Sequence, residues 1–230
     1  MKIIKLDRSV IPACDVSNIE KLKQLIKETC DIDGIGGYKI GFQLILPYGL
    51  NNVVETIREI TDLPIIYDHQ KAATDIPALG SRFMSLCKKV DAVILFPQAG
   101  PITEEYWIKA ALDQDIGVII GGEMTHECYL NGDGGFIVDD APKRIFEIAI
   151  KLGINNFVVP GNKPEKMKEY KDFIESFNIK PIFYSPGLIA QGGSLTEAAK
   201  IVERWHAIIG RAIYQAKDIH KAAKEFVRAL

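Results

Sequence analysis

The chain has 230 residues, 47% of them hydrophobic, so it can bury one large core. Its 28 basic and 30 acidic residues leave a formal charge of -2, which excludes a global field drawing it to nucleic acid or an anionic membrane. No segment approaches the roughly 18 uninterrupted apolar residues of a membrane helix or the apolar stretch of a signal peptide, and Cys14, Cys30, Cys87 and Cys128 lie far apart without a CxxC, so a soluble, reduced, cytoplasmic protein is expected.

In chain order, a strand at residues 10–14 (VIPAC) precedes a helix at 17–29, and a strand at 38–41 (YKIG) precedes a helix at 51–61. Strands at 64–67 (PIIY) and 92–96 (AVILF) follow, then a helix at 103–114 and a strand at 117–121 (GVIIG). Residues 125–140, with NGDGG, read as a loop before a helix at 141–152. The rest alternates: strand 156–160 (NFVVP), helix 164–176, strand 181–185 (PIFYS), helix 194–202, strand 206–210 (HAIIG) and a closing helix at 218–230. The strand candidates are apolar almost throughout, as strands of a parallel sheet covered on both faces must be. An open doubly wound sheet can also be built from such alternation, but eight regular units without a change of rhythm predict an α/β fold with a single (β/α)8 TIM barrel, spanning residues 1–230 as one domain.

In such a barrel the chemistry gathers at the C-terminal ends of the strands. Those ends carry Asp15, Lys39, Asp68, Lys71 and Asp75. Acids and lysines can offset one another's charge there, whereas an isolated buried ion costs several kcal/mol. Any one of the five alone would read as ordinary surface charge; five together at the strand ends point to a site. The last two strands run into SPGLIAQGGS and IIGRAIYQA. Glycines let backbone approach an anion, helix N-terminal amides point at it, and arginine supplies a planar donor fork. Gln191, Gly192, Gly193, Gly210 and Arg211 therefore mark a phosphate site, where the alternative is a tight turn and a solvated arginine. Thr125 either reads a ligand's polar edge or caps a turn. Trp107 and Trp205 read as packing residues. His69, His126, His206 and His220 show no metal spacing, and Glu123, His126 and Cys128 are too loosely arranged for zinc, so no catalytic metal is expected.

These segments resemble those of the orotidine 5′-phosphate decarboxylases, particularly the archaeal type, along almost the whole chain. The resemblance rests on IPACD, YKIGFQLILPYG, EMTHE, VVPGNKPEKM, SPGLIAQGGS and IGRAIYQA. It implies cofactor-independent conversion of orotidine 5′-phosphate to uridine 5′-phosphate and carbon dioxide by a homodimer. In that scheme Asp15 and Lys39 hold the ribose, and Thr125 reads the pyrimidine. Gln191, Gly192, Gly193, Gly210 and Arg211 hold the phosphate. Lys71 stabilises the carbanion and donates its proton, Asp68 stands by the leaving carboxylate, and Asp75 reaches the neighbouring subunit's site.

The central motif departs from the family's Asp-x-Lys-x-x-Asp. Here Asp68-His-Gln-Lys71-Ala-Ala-Thr-Asp75 is two residues longer, and Leu79 stands where the family often has threonine. Side chains three apart on a regular strand face opposite ways, so Asp68 and Lys71 converge only if the chain bulges or turns. Two alternatives remain. One is a magnesium-dependent sugar-phosphate enzyme of the same superfamily. The other is a nucleotide-binding barrel without catalysis, in which Gln70 takes the lysine's place.

Overall fold

The structure, a computed structural model, describes residues 2–69, 72–188 and 195–230. Eight strands run parallel: β1 (Arg8–Pro12), β2 (Tyr38–Gly41), β3 (Ile65–Asp68), β4 (Ala92–Leu95), β5 (Gly117–Gly121), β6 (Asn156–Val158), β7 (Ile182–Ser185) and β8 (Arg204–Ile209). From β2 to β8 each pairs with the next, and β8 returns to β1. Parallel bridges at Val10 to Ile35 and Ala13 to Lys39 close the ring between β1 and β2. There the Cys14 amide donates to the Lys39 carbonyl at 2.8 Å. The expected barrel is the fold.

The helices form the outer layer: α1 (Ile19–Lys27), α2 (Phe42–Tyr48), α3 (Leu50–Arg58), α4 (Leu79–Leu86), α5 (Pro101–Leu112), α6 (Ala141–Lys151), α7 (Pro164–Glu175), α8 (Leu195–Ala199), α9 (Arg211–Tyr214) and α10 (Ile219–Arg228). Asn18 and Asp218 set the starts of α1 and α10, each accepting the amide three residues on, at 2.9 and 2.8 Å. The sequence pattern omitted α2, α4 and α9. Pro47 lies inside α2, and α4 carries Gly80, whose bare backbone lies against the Trp107 ring. These residues weaken the helical pattern, and only packing explains them. Residues 125–140 are irregular apart from a single 3-10 turn, Asn131–Asp133, tied back by the Gly132 amide donating to Asp139 Oδ1 at 2.8 Å.

The buried residues sort into two shells, and strand alternation decides which residue enters which. Val10, Tyr38, Ile40, Tyr67, Val93, Val118, Phe157 and Phe183 belong to the shell between sheet and helices. Ile11, Ala13, Ile66, Ile94, Ile119, Val158, Tyr184 and Ile208 belong to the second shell, which fills the barrel. Because Tyr38 and Ile40 face outward, Lys39 must face inward. The same parity turns Asp68 inward beyond Ile66, His206 inward before Ile208, and Ser9 inward before Ile11. Each charged or polar inward residue thus lies above or below an apolar layer. Trp107 and Trp205 are both buried, as packing residues are.

Candidate active site

Lys39 is almost wholly buried, yet its Nζ lies 3.0 Å from Asp68 Oδ2 and 3.8 Å from Asp15 Oδ1. β2 supplies the lysine, the last position of β3 supplies Asp68, and the chain just beyond β1 supplies Asp15. Burial alone would lower the Lys39 pKa. The Asp68 and Asp15 carboxylates outweigh it and hold the ammonium above the ordinary lysine range. Cys14, sealed in the core beside them, has its thiol pushed far up by burial first and then by Asp15. It is no nucleophile.

This cluster lies on the wall of a cavity of about 410 Å³. The apolar part of the wall comes from Ile94, Phe96, Val158 and Ile208. Gly121 is required below it, because any Cβ there would stand 2.2 Å from the Phe96 ring. Thr125, Gly210 and Arg211 also line the cavity, so six residues expected from sequence meet at one place: Asp15, Lys39, Asp68, Thr125, Gly210 and Arg211. Arg211 is exposed and forms no ion pair among the described residues. It can accept an anion without breaking an ion pair among those residues.

The other expected residues are placed differently. Asp75 is exposed, does not line the cavity, and accepts the amide of Ile76 at 2.6 Å. Lys71, Gln191, Gly192 and Gly193 lie outside the described residues. β3 stops at Asp68, Ala73 takes a left-handed φ of 67°, and the expected convergence of Asp68 with Lys71 falls outside the described residues. All four cysteines are free thiols. Among the described residues no three histidine, cysteine or acidic side chains gather as metal ligands.

Sequence reasoning missed the support beneath Thr125. Glu123 is fully buried, pairs with Lys163 Nζ at 2.7 Å and accepts from the Tyr170 hydroxyl. Lys163 also reaches the Met124 carbonyl at 3.5 Å, and Asn162 Nδ2 donates to the Thr125 carbonyl at 3.0 Å. Both partners come from the loop after β6, so they hold the β5 loop from the neighbouring strand. Glu123 stands just past an apolar strand, as Asp15 and Asp68 do, and that was the available signal. Tyr214 was missed as well. It lines the cavity from α9, and burial raises its hydroxyl pKa.

Comparison with known proteins yields one consistent answer. The family model described as "Orotidine 5'-phosphate decarboxylase / HUMPS family" matches residues 8–226. The orotidine 5′-phosphate decarboxylase of Methanococcus maripaludis is 31% identical over 220 residues, 93% of each chain. The crystal structure of the Methanocaldococcus jannaschii orotidine 5′-monophosphate decarboxylase complexed with inhibitor BMP superposes with a TM-score of 0.84 at 26% identity, covering 97% of this chain and 98% of that one. The corresponding enzyme of Pyrococcus horikoshii superposes with a TM-score of 0.78 at 26% identity, covering 96% and 98%.

Proposed function

The chain belongs to the orotidine 5′-phosphate decarboxylase / HUMPS family, and we infer that its reaction is the decarboxylation of orotidine 5′-phosphate to uridine 5′-phosphate. The observation that carries this reading is the Asp15, Lys39 and Asp68 array inside a cavity whose rim presents Arg211, which has no ion pair among the described residues. Fixed opposite charges face the reacting end of the substrate, and a cation waits for the phosphate.

The pyrimidine ring offers no electron sink, so charge developing at the carbon that loses carbon dioxide must be stabilised by fixed groups. Lys71 does this and then donates the proton that replaces the carboxylate. Asp68 stands beside the departing group. Like charges at about 4 Å repel by roughly 4 kcal/mol at an effective dielectric of 20, so departure of neutral carbon dioxide relieves a real repulsion. Asp68 is already bonded to Lys39, which keeps it aimed. Asp15 and Lys39 take the ribose hydroxyls and Thr125 the pyrimidine edge. The phosphate goes to Arg211 and Gln191, with backbone help from Gly192, Gly193 and Gly210. Each charge-assisted hydrogen bond contributes about 1.5 to 3 kcal/mol, and remote binding of this kind can be directed to the reacting end.

The family also covers magnesium-dependent chemistry, but the similar curated proteins are decarboxylases of the nucleotide. The reading also takes the chain to be a cytoplasmic homodimer. Exposed apolar residues support the dimer: Phe42 and Leu46 on α2, Ile76 after β3, and Ile102 and Tyr106 on α5 all follow neighbouring strands. The Trp107 indole donates to the Ile76 carbonyl and so fixes Ile76 beside α5. Asp75 stands next to this surface, from which it would enter the partner's cavity.

The test is to mix metal-stripped protein with orotidine 5′-phosphate and follow the loss of ultraviolet absorbance. Turnover that persists in chelator is expected, with Lys71→Ala abolishing it and Arg211→Ala chiefly raising KM. Near-normal turnover in the Lys71 variant would overturn the assignment, and nucleotide binding without turnover would favour a barrel that has lost catalysis.

A further inference from the structure

A second cavity, of about 290 Å³, lies between α5 and α6 and shares no lining residue with the first. Its wall is mostly apolar, with Pro97, Pro101, Ile137, Ala141, Ile145 and Ile148 among the residues that form it. Glu104 interrupts that wall. It is 1% exposed, and neither Oε1 nor Oε2 has a hydrogen-bond partner among the described residues. A first-turn acid on a helix ordinarily stands in solvent near the free amides, whereas this one is turned into the protein.

A buried carboxyl without a partner is one of the less stable arrangements a fold can keep, since desolvation falls on it with nothing in return. Burial pushes its pKa up to about 8. Among the described residues the other charged one in the lining is Arg144, which is exposed and turned toward Asp140 at 3.9 Å. Glu104 thus lacks a cation, and the apolar surroundings suit an organic body. We propose that this cavity is a second ligand site, which takes a small organic cation, a protonated amine or amidine carried on a single ring or short alkyl body, with Glu104 as its counter-ion.

Nothing in the decarboxylation mechanism uses Glu104, so the site and the reaction can fail separately. Benzylamine and benzyl alcohol have the same body and differ in charge, and calorimetry on the purified full chain compares them. Benzylamine is expected to bind once per chain, at least tenfold more tightly than benzyl alcohol. About one proton should leave per amine bound at pH 7, read from titrations in two buffers of different ionisation heat, because a carboxyl with a raised pKa must ionise to pair. Glu104→Gln should weaken amine binding at least tenfold and abolish the proton release, while Arg144→Ala should tighten binding. Thermal melting of both variants checks folding, and the proton count on the unaltered chain stands if a variant fails to fold. Equal binding of the two probes, amine binding without proton release, or no binding by either would overturn the proposal.

Discussion

Two ionisable side chains sit inside the same barrel, both buried, and they end in different charge states. Lys39 near the mouth is held charged, with its pKa raised because Asp68 and Asp15 outweigh the effect of burial. His206 on β8 is held neutral. Its pKa falls to about 3, first through burial and then through the nearby Arg204. Its Nδ1 meets Ser9 Oγ at 2.8 Å, its ring lies 4.8 Å from that of Tyr184, and its Nε2 has no partner among the described residues. Burial disfavours charge in both places. What differs is the counter-charge: the end of the barrel that keeps its cation is the one where carboxylates stand beside it.

The largest effect should come from breaking the charged side. Lys39→Met removes the buried ammonium that Asp15 and Asp68 share, which should cost about 3 to 5 kcal/mol in stability and at least a hundredfold in turnover. Urea unfolding and kcat measured on one preparation would test both; unchanged stability would mean that the array is not a paired unit. The alkaline limb sharpens the same point. A raised lysine pKa gives stability that is fully present below the ordinary lysine value and is lost as pH rises through the raised one, so this contribution fades only above about 10.5.

The neutral side should fail at the other end of the scale. For His206 the folded pKa lies below the unfolded one, so the unfolded chain takes up the proton first. Stability should fall by about 1.4 kcal/mol per pH unit from this residue as pH drops from 6.5 toward 3. Urea midpoints at pH 7, 6 and 5 measure that slope, and His206→Gln should flatten it. His69, whose pKa is also lowered by burial, adds to the slope in the same direction and remains in the variant. A slope unchanged in His206→Gln would assign acid sensitivity elsewhere. Smallest of the three, Ser9→Ala removes the partner of a buried ring nitrogen and should cost about 1 to 3 kcal/mol in a urea melt, with turnover intact.

Local sequence pattern was enough to read the barrel and the strand ends, because apolar runs with helical stretches between them depend on nearest neighbours along the chain. Asp15, Asp68, Thr125, Gly210 and Arg211 were legible for the same reason: each stands at or just past such a run. Lys39 was legible too, but that it faces inward follows from strand parity, with Tyr38 and Ile40 packed outward. Register and closure decided the rest. The Glu123, Lys163 and Asn162 support joins segments about forty residues apart, and Glu104 depends on how α5 meets α6. The exposure of Asp75, outside its own chain's cavity, likewise depends on the turn after β3. Such partners are selected by three-dimensional packing, in which the energy of a charge depends on what lies within a few ångströms, and sequence spacing carries no measure of that distance.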